Sequence, residues 1–188
     1  MSAEVLLLRH GQTAGNALRQ YIGATDEPLS DAGRAALSKL SYPAAERVYV
    51  SPLCRCRETA AILFPGAEQC VVPGLREMDF GHFERRSFCD MERDAEYRAW
   101  IDSGCEAPIP GGESKAEFTA RCCAAFSPVL TRHGNDRAVF VVHGGTIMAI
   151  LSRFGVPERG YYDWTAANGH GFLLSREEGG LLRLITEV

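Results

Sequence analysis

Short runs of apolar residues that end abruptly in charged or glycine-containing turns recur along the chain. Residues 5–8 are Val-Leu-Leu-Leu and stop at Arg9-His10-Gly11-Gln12-Thr13. Residues 138–142 are Ala-Val-Phe-Val-Val and stop at His143-Gly144-Gly145-Thr146. Neither run alternates with polar residues, which predicts strands covered on both faces. Further β-leaning runs span residues 47–50, 69–72, 171–175 and 181–186. The last two read as a hairpin around Glu178-Gly179-Gly180.

Helical patterns fall between these runs. One covers residues 31–40 behind Ser30 as N-cap. Others cover 55–64, stopped by Pro65-Gly66, and 90–102, ending near Gly104. The next, 114–131, opens with the capping box Ser114-Lys-Ala-Glu117. The last, 146–154, is closed by Gly155 and Pro157. The alternation predicts an α/β fold: a three-layer sandwich with a mainly parallel central sheet, helices on both faces and an antiparallel edge. Residues 1–188 read as one domain. The long irregular stretch 78–112, ending in Pro108-Ile-Pro-Gly-Gly112, reads as a lid-like insertion over the strand ends.

Composition narrows the function classes. The 188 residues are 46% hydrophobic, enough for a full core. A net charge of −4 argues against a generic nucleic-acid binder, which needs a basic face. No apolar stretch is long enough for a membrane span, and the first residues show no signal-type pattern, so a cytoplasmic location is expected. The seven cysteines include Cys54-x-Cys56 and the adjacent Cys122-Cys123 but no Cys-x-x-Cys, and read as small apolar filler in a reducing compartment. No metal or cofactor is expected.

The chemistry lies where the parallel strands end. Such strands share one carboxyl edge, where ligands of open α/β sheets sit. The first delivers Arg9 and His10. The second ends at Ser51, with Arg55 opening the next helix. The third leads through Pro73-Gly-Leu-Arg to Glu77, and the fourth ends at His143. Two arginines, two histidines and one carboxylate therefore converge, with helix N-termini after Gly11 and Gly144 adding backbone donors. Guanidinium forks suit phosphate oxygens, so the set predicts a phosphate site.

Arg9-His10-Gly11-Gln12-Thr13 with Asn16, Ser51-Pro-Leu-Cys-Arg55, Leu75-Arg-Glu77-Met-Asp-Phe-Gly81 and His143-Gly144, in this order, resemble the histidine phosphatase superfamily, the phosphoglycerate mutase-like fold. Met78-Asp-Phe-Gly-His-Phe-Glu84, Tyr97-Arg-Ala-Trp100 and Pro110-Gly-Gly-Glu-Ser114 most resemble its alpha-ribazole phosphatase branch. The resemblance implies His10 as a nucleophile that becomes phosphorylated. It implies Arg9, Arg55, His143 and Asn16 as phosphate-binding residues, with Gly144 contributing its backbone. Glu77 would be the general acid and then the base for water. Ringed by arginines, Glu77 is expected to be ionised until bound phosphate raises its pKa. The implied ligand is a small phosphate ester.

Gln12, Glu84, Arg85 and His170 are candidates for the substrate pocket, although Glu84 reads first as a capping or packing residue. Three positions depart from the common pattern: Arg85 where many relatives have Gly, Phe83 where Trp is common, and Cys56 for a common Ala. A phosphoglycerate mutase and a catalytically inactive phospholigand-binding module are the competing readings.

Overall fold

The computed structural model describes residues 3–134 and 136–188. The first half runs β1 (Glu4–Arg9), α1 (Ala14–Ala17), α2 (Asp31–Leu37), β2 (Arg47–Val50), α3 (Cys54–Leu63) and β3 (Glu68–Val71). It continues with α4 (Phe88–Met91), α5 (Ala95–Asp102), α6 (Lys115–His133), β4 (Ala138–Val142), α7 (Gly144–Phe154), β5 (Gly155–Val156), β6 (Gly171–Arg176) and β7 (Leu182–Glu187).

The strands form one sheet in the order β3-β2-β4-β1-β6-β7-β5. β3, β2, β4 and β1 are mutually parallel, while β6 and β7 form the antiparallel side. The apolar runs explain why helices cover both faces. Val5, Leu7, Phe140 and Val142 pack on one face with Phe118, Phe126 and Ile150 of α6 and α7. Leu6, Leu8, Val139 and Val141 pack on the other with Leu37, Cys56 and Ala60 of α2 and α3. Alternate residues of one strand thus enter two separate cores, each fully buried leucine contributing roughly 1.5–3 kcal/mol.

Several boundaries differ from expectation for local reasons. The helix expected over 90–102 is two helices. The Asp94 side chain accepts from the amides of Glu96 and Tyr97 and so caps a new start, while Ser87 and Asp90 form a capping box for the short α4. α2 stops at Leu37 instead of 40, because Lys39 and Leu40 turn back to the carbonyls of Ala36 and Leu37. α7 starts at Gly144, two residues before the apolar periodicity, with His143 as its N-cap. β5 was not anticipated: two residues, Gly155 and Val156, pair with Leu182 and Arg183. The hairpin turns through Gly179 and Gly180, both at positive φ of 77° and 80°. Among the described residues no helix is long and apolar enough to cross a membrane.

Candidate active site

β1 and β4 are neighbours, and their last paired rung is Arg9 with Val142. The next residue on each strand is a histidine, so this register alone brings His10 and His143 side by side. Their rings meet edge to face, with centroids 5.1 Å apart.

His10 is 3% exposed, and its Nδ1 lies 2.7 Å from the Gly11 carbonyl oxygen. A carbonyl only accepts, so Nδ1 carries the proton and Nε2 keeps its lone pair. Burial, with Arg55 and then Arg9 nearby, holds the imidazole well below its ordinary pKa despite the favourable Gly11 contact. The ring is therefore neutral at neutral pH, in the tautomer a nitrogen nucleophile needs. Gly11 is pinned in turn, its amide donating to Thr59 Oγ1 at 2.9 Å. A Cβ at Gly11 would meet Leu37 Cδ1 at 2.6 Å.

Arg55, on the first turn of α3, is fully buried. Its Nη1 donates to Thr25 O at 2.8 Å and its Nη2 to Gly23 O at 2.9 Å. Arg9 donates from Nη1 to Ala166 O at 2.8 Å. The Nε atoms of both arginines are buried without a protein acceptor. Such a donor is costly unless something accepts from it, and an oxyanion between the guanidinium groups would do so. His143 is fully buried and shares a 2.6 Å hydrogen bond between Nε2 and Ser51 Oγ. Burial first, then Arg55, His10 and Arg9, push its pKa well below the ordinary value. Cys56 Sγ donates to Val142 O and lies 3.5 Å from His143 Nε2.

Glu77 corrects one expectation. Glu77 is 7% exposed, and its carboxyl accepts from two backbone amides, Met78 N–H at 2.9 Å and Gly145 N–H at 3.0 Å. Arg9 and Arg55 favour its charged form, but burial outweighs both and raises the pKa above the ordinary carboxylate value. Counting neighbouring charges predicted a lowered pKa. Desolvation reverses the direction.

The remaining candidates occupy different places. Asn16 Oδ1 accepts from Thr13 N–H and from Asn168 Nδ2, which also donates to His10 O. Asn16 therefore holds the His10 loop. Gly144 lies against Arg9: a Cβ there would stand 3.4 Å from Arg9 Nε, an ordinary contact. The Glu84 carboxylate accepts from Gly23 N–H, Ala24 N–H and Thr25 Oγ1, the last at 2.7 Å. Arg55 and Glu84 thus grip opposite sides of one loop, Arg55 through its carbonyls and Glu84 through its amides. Arg85 is exposed, with φ of 60°. Gln12 and His170 line an open cavity with Leu37, Lys39 and Asn168, separate from the one beside Glu77. The His170 ring donates from Nδ1 to Val188 O at 3.1 Å.

A cavity of about 240 Å³ opens beside Glu77, walled by Tyr21, Phe80, Trp100, Met148, Tyr161 and Tyr162. Met78, Phe80, Trp100 and Cys105 come from the stretch 78–112. Among the described lining residues the only cation is Lys115. Its Nζ pairs with Glu106 and sits 5.0 Å over the Tyr161 ring. Lys115, Tyr161, Thr59 and Asn168 were not singled out in the sequence. Ser51 was named there as a strand end and motif residue, but its hydrogen bond to His143 was not foreseen. Among the described residues no group of three or more His, Cys, Asp or Glu side chains could hold a metal.

This arrangement of charges suits a tetrahedral oxyanion with an apolar group attached. Phosphoglycerate mutase-like protein 4 of Arabidopsis thaliana is 32% identical over 162 residues, covering 80% of this chain and 70% of that protein. The crystal structure of the alpha-ribazole phosphatase from Shigella flexneri superposes with a TM-score of 0.85 at 24% identity, covering 98% of this chain and 95% of that one. The phosphoglycerate mutase structure from Thermus thermophilus gives 0.72 at 27% identity, covering 98% of both chains. The family model for the histidine phosphatase superfamily (branch 1) matches residues 5–184, and the chain belongs to that family.

Proposed function

We propose that the protein hydrolyses the phosphomonoester of a small metabolite through a phosphohistidine at His10. The observation that carries this reading is the His10 tautomer: the Nδ1 proton is committed to Gly11 O, leaving Nε2 as the nucleophile beside Arg9, Arg55 and His143. In the first step Nε2 bonds to phosphorus and the ester P–O bond breaks. The leaving alkoxide takes the Glu77 proton. In the second step water attacks the phosphohistidine and gives a proton to Glu77. The P–N bond breaks and inorganic phosphate departs. Arg9, Arg55 and His143 stabilise the charge on the equatorial oxygens, which is most of what phosphoryl transfer demands. A covalent intermediate divides one hard displacement into two easier ones.

The stretch 78–112 serves as a lid whose aromatic side chains hold the leaving group. The cavity favours a neutral, flat leaving group. Its cation, Lys115, is already paired with Glu106, whereas the carboxylate of a phosphoglycerate needs an unpaired one. This supports a hydrolase over the mutase reading that the name of the Arabidopsis relative suggests. With the branch resemblance of residues 78–84, 97–100 and 110–114, it makes alpha-ribazole phosphate the first substrate to try. The inactive-module reading is disfavoured because His10 and Glu77 are both present and border one site. The seven free thiols fit the cytoplasm. The deciding experiment measures phosphate release from a panel of phosphorylated metabolites including alpha-ribazole phosphate, beside a 3-phosphoglycerate isomerisation assay. Release without isomerisation is expected. Isomerisation as the faster reaction would overturn the reading.

A further inference from the structure

We propose that Gly145 is a positioning residue for the proton donor: its lack of a side chain leaves the space in which the Glu77 carboxyl sits, and its amide orients that carboxyl. The inference rests on Glu77 acting as the acid.

Gly145 is the second residue of α7, in helical conformation and without a positive φ. Glycine is a poor choice there, because alanine loses less conformational entropy in a helix. The reason for it is spatial. A Cβ on Gly145 would lie 2.3 Å from Glu77 Oε1, 3.0 Å from its Cδ and 3.2 Å from Oε2. The same backbone donates its N–H to Oε2 at 3.0 Å, while the Met78 amide donates to Oε1 at 2.9 Å. One donor on each oxygen fixes the plane of the carboxyl group. The Gly145 donor belongs to the first turn of a helix, where amides lack intrahelical partners. A methyl group here cannot coexist with the carboxyl in its present place. What yields is the end of the Glu77 side chain, since the nearest atoms to that methyl are all its own. Alanine would therefore leave the fold intact and push the acid away from the leaving oxygen.

The test compares Gly145→Ala, Glu77→Gln and the double variant. Phosphoenzyme formation is measured in single turnovers with an alkyl phosphate and with p-nitrophenyl phosphate. The alkyl ester needs a proton on its leaving oxygen and the nitrophenyl ester does not. Gly145→Ala is expected to slow the alkyl ester about tenfold or more, with a much smaller effect on the nitrophenyl ester. Added to Glu77→Gln, it should cost little further, because both act on one group. Equal slowing of the two esters, a full multiplicative loss in the double variant, or no loss at all would overturn the inference. If Gly145→Ala does not fold, Glu77→Ala/Gly145→Ala removes the clash and should fold; an unfolded double variant would refute the spatial argument. Glu77→Gln alone slowing both esters equally would instead defeat the reading of Glu77 as the acid.

Discussion

The His10 and His143 rings stand 5.1 Å apart because Arg9 and Val142, the residues before them, form the last rung between β1 and β4. The two strands differ in what they hold fixed. His10 is locked by its own neighbour's carbonyl, and His143 by Ser51 at the end of β2. This places them in unequal roles. His10→Ala is expected to abolish turnover. His143→Ala should leave weak activity, reduced by about 10²–10³-fold as for loss of one charge-stabilising donor. Steady-state rates with p-nitrophenyl phosphate distinguish the two, and comparable residual rates would contradict the assignment.

Stability should fall on the acid side. His10 and His143 are buried with pKa values held below the ordinary imidazole value of about 6.5. Below that pH the unfolded chain binds protons that the native one does not. Stability therefore rises with pH through this window and is lost as pH falls from about 6.5. Each histidine contributes about 1.4 kcal/mol per pH unit while its native form stays neutral. Glu77, with its pKa raised, acts in the opposite sense above the ordinary carboxylate value. Urea midpoints for wild type and His143→Asn between pH 7 and 5 should show a shallower slope in the variant. Parallel slopes would mean that His143 is not buried neutral.

Activity should survive EDTA, because the arginines supply the positive charge at the phosphoryl group. Vanadate, a mimic of five-coordinate phosphorus, should inhibit. Loss of turnover on chelation, restored by magnesium or zinc, would contradict this.

Much of this was legible in the pattern of residues, for physical reasons. Continuous apolar runs at β1 and β4 announce strands buried on both faces, and strands of that kind place their carboxyl ends together. The charged residues closing those runs followed at once. What escaped was set by contacts between distant segments. Asp94 splits a helical pattern by capping, a choice available to many aspartates. β5 has two residues and exists only because β7 lies beside it. The cavity joins Tyr21, Trp100, Lys115 and Tyr161, whose sequence separation hides their proximity. The Glu77 pKa went the other way because charge is visible in a sequence and burial is not.

Glu77→Gln should slow an alkyl phosphate far more than p-nitrophenyl phosphate. General acid catalysis contributes ~10²–10⁴-fold, so the gap between the two esters should be on the order of tenfold or larger. The wild-type rate should be bell-shaped in pH, needing His10 neutral and Glu77 protonated, with the alkaline limb absent in Glu77→Gln. Equal slowing would leave Glu77 as a base for water only, with another acid to be found.

The most direct test is rapid-quench trapping of the intermediate with substrate labelled at phosphorus. Within the first turnover, label should appear on the protein, be lost in acid and survive base, and map to the peptide containing His10. It should be absent from His10→Ala and present in His143→Ala, at a slower rate. Turnover without any trapped label, or label on the peptide containing His143, would contradict the account.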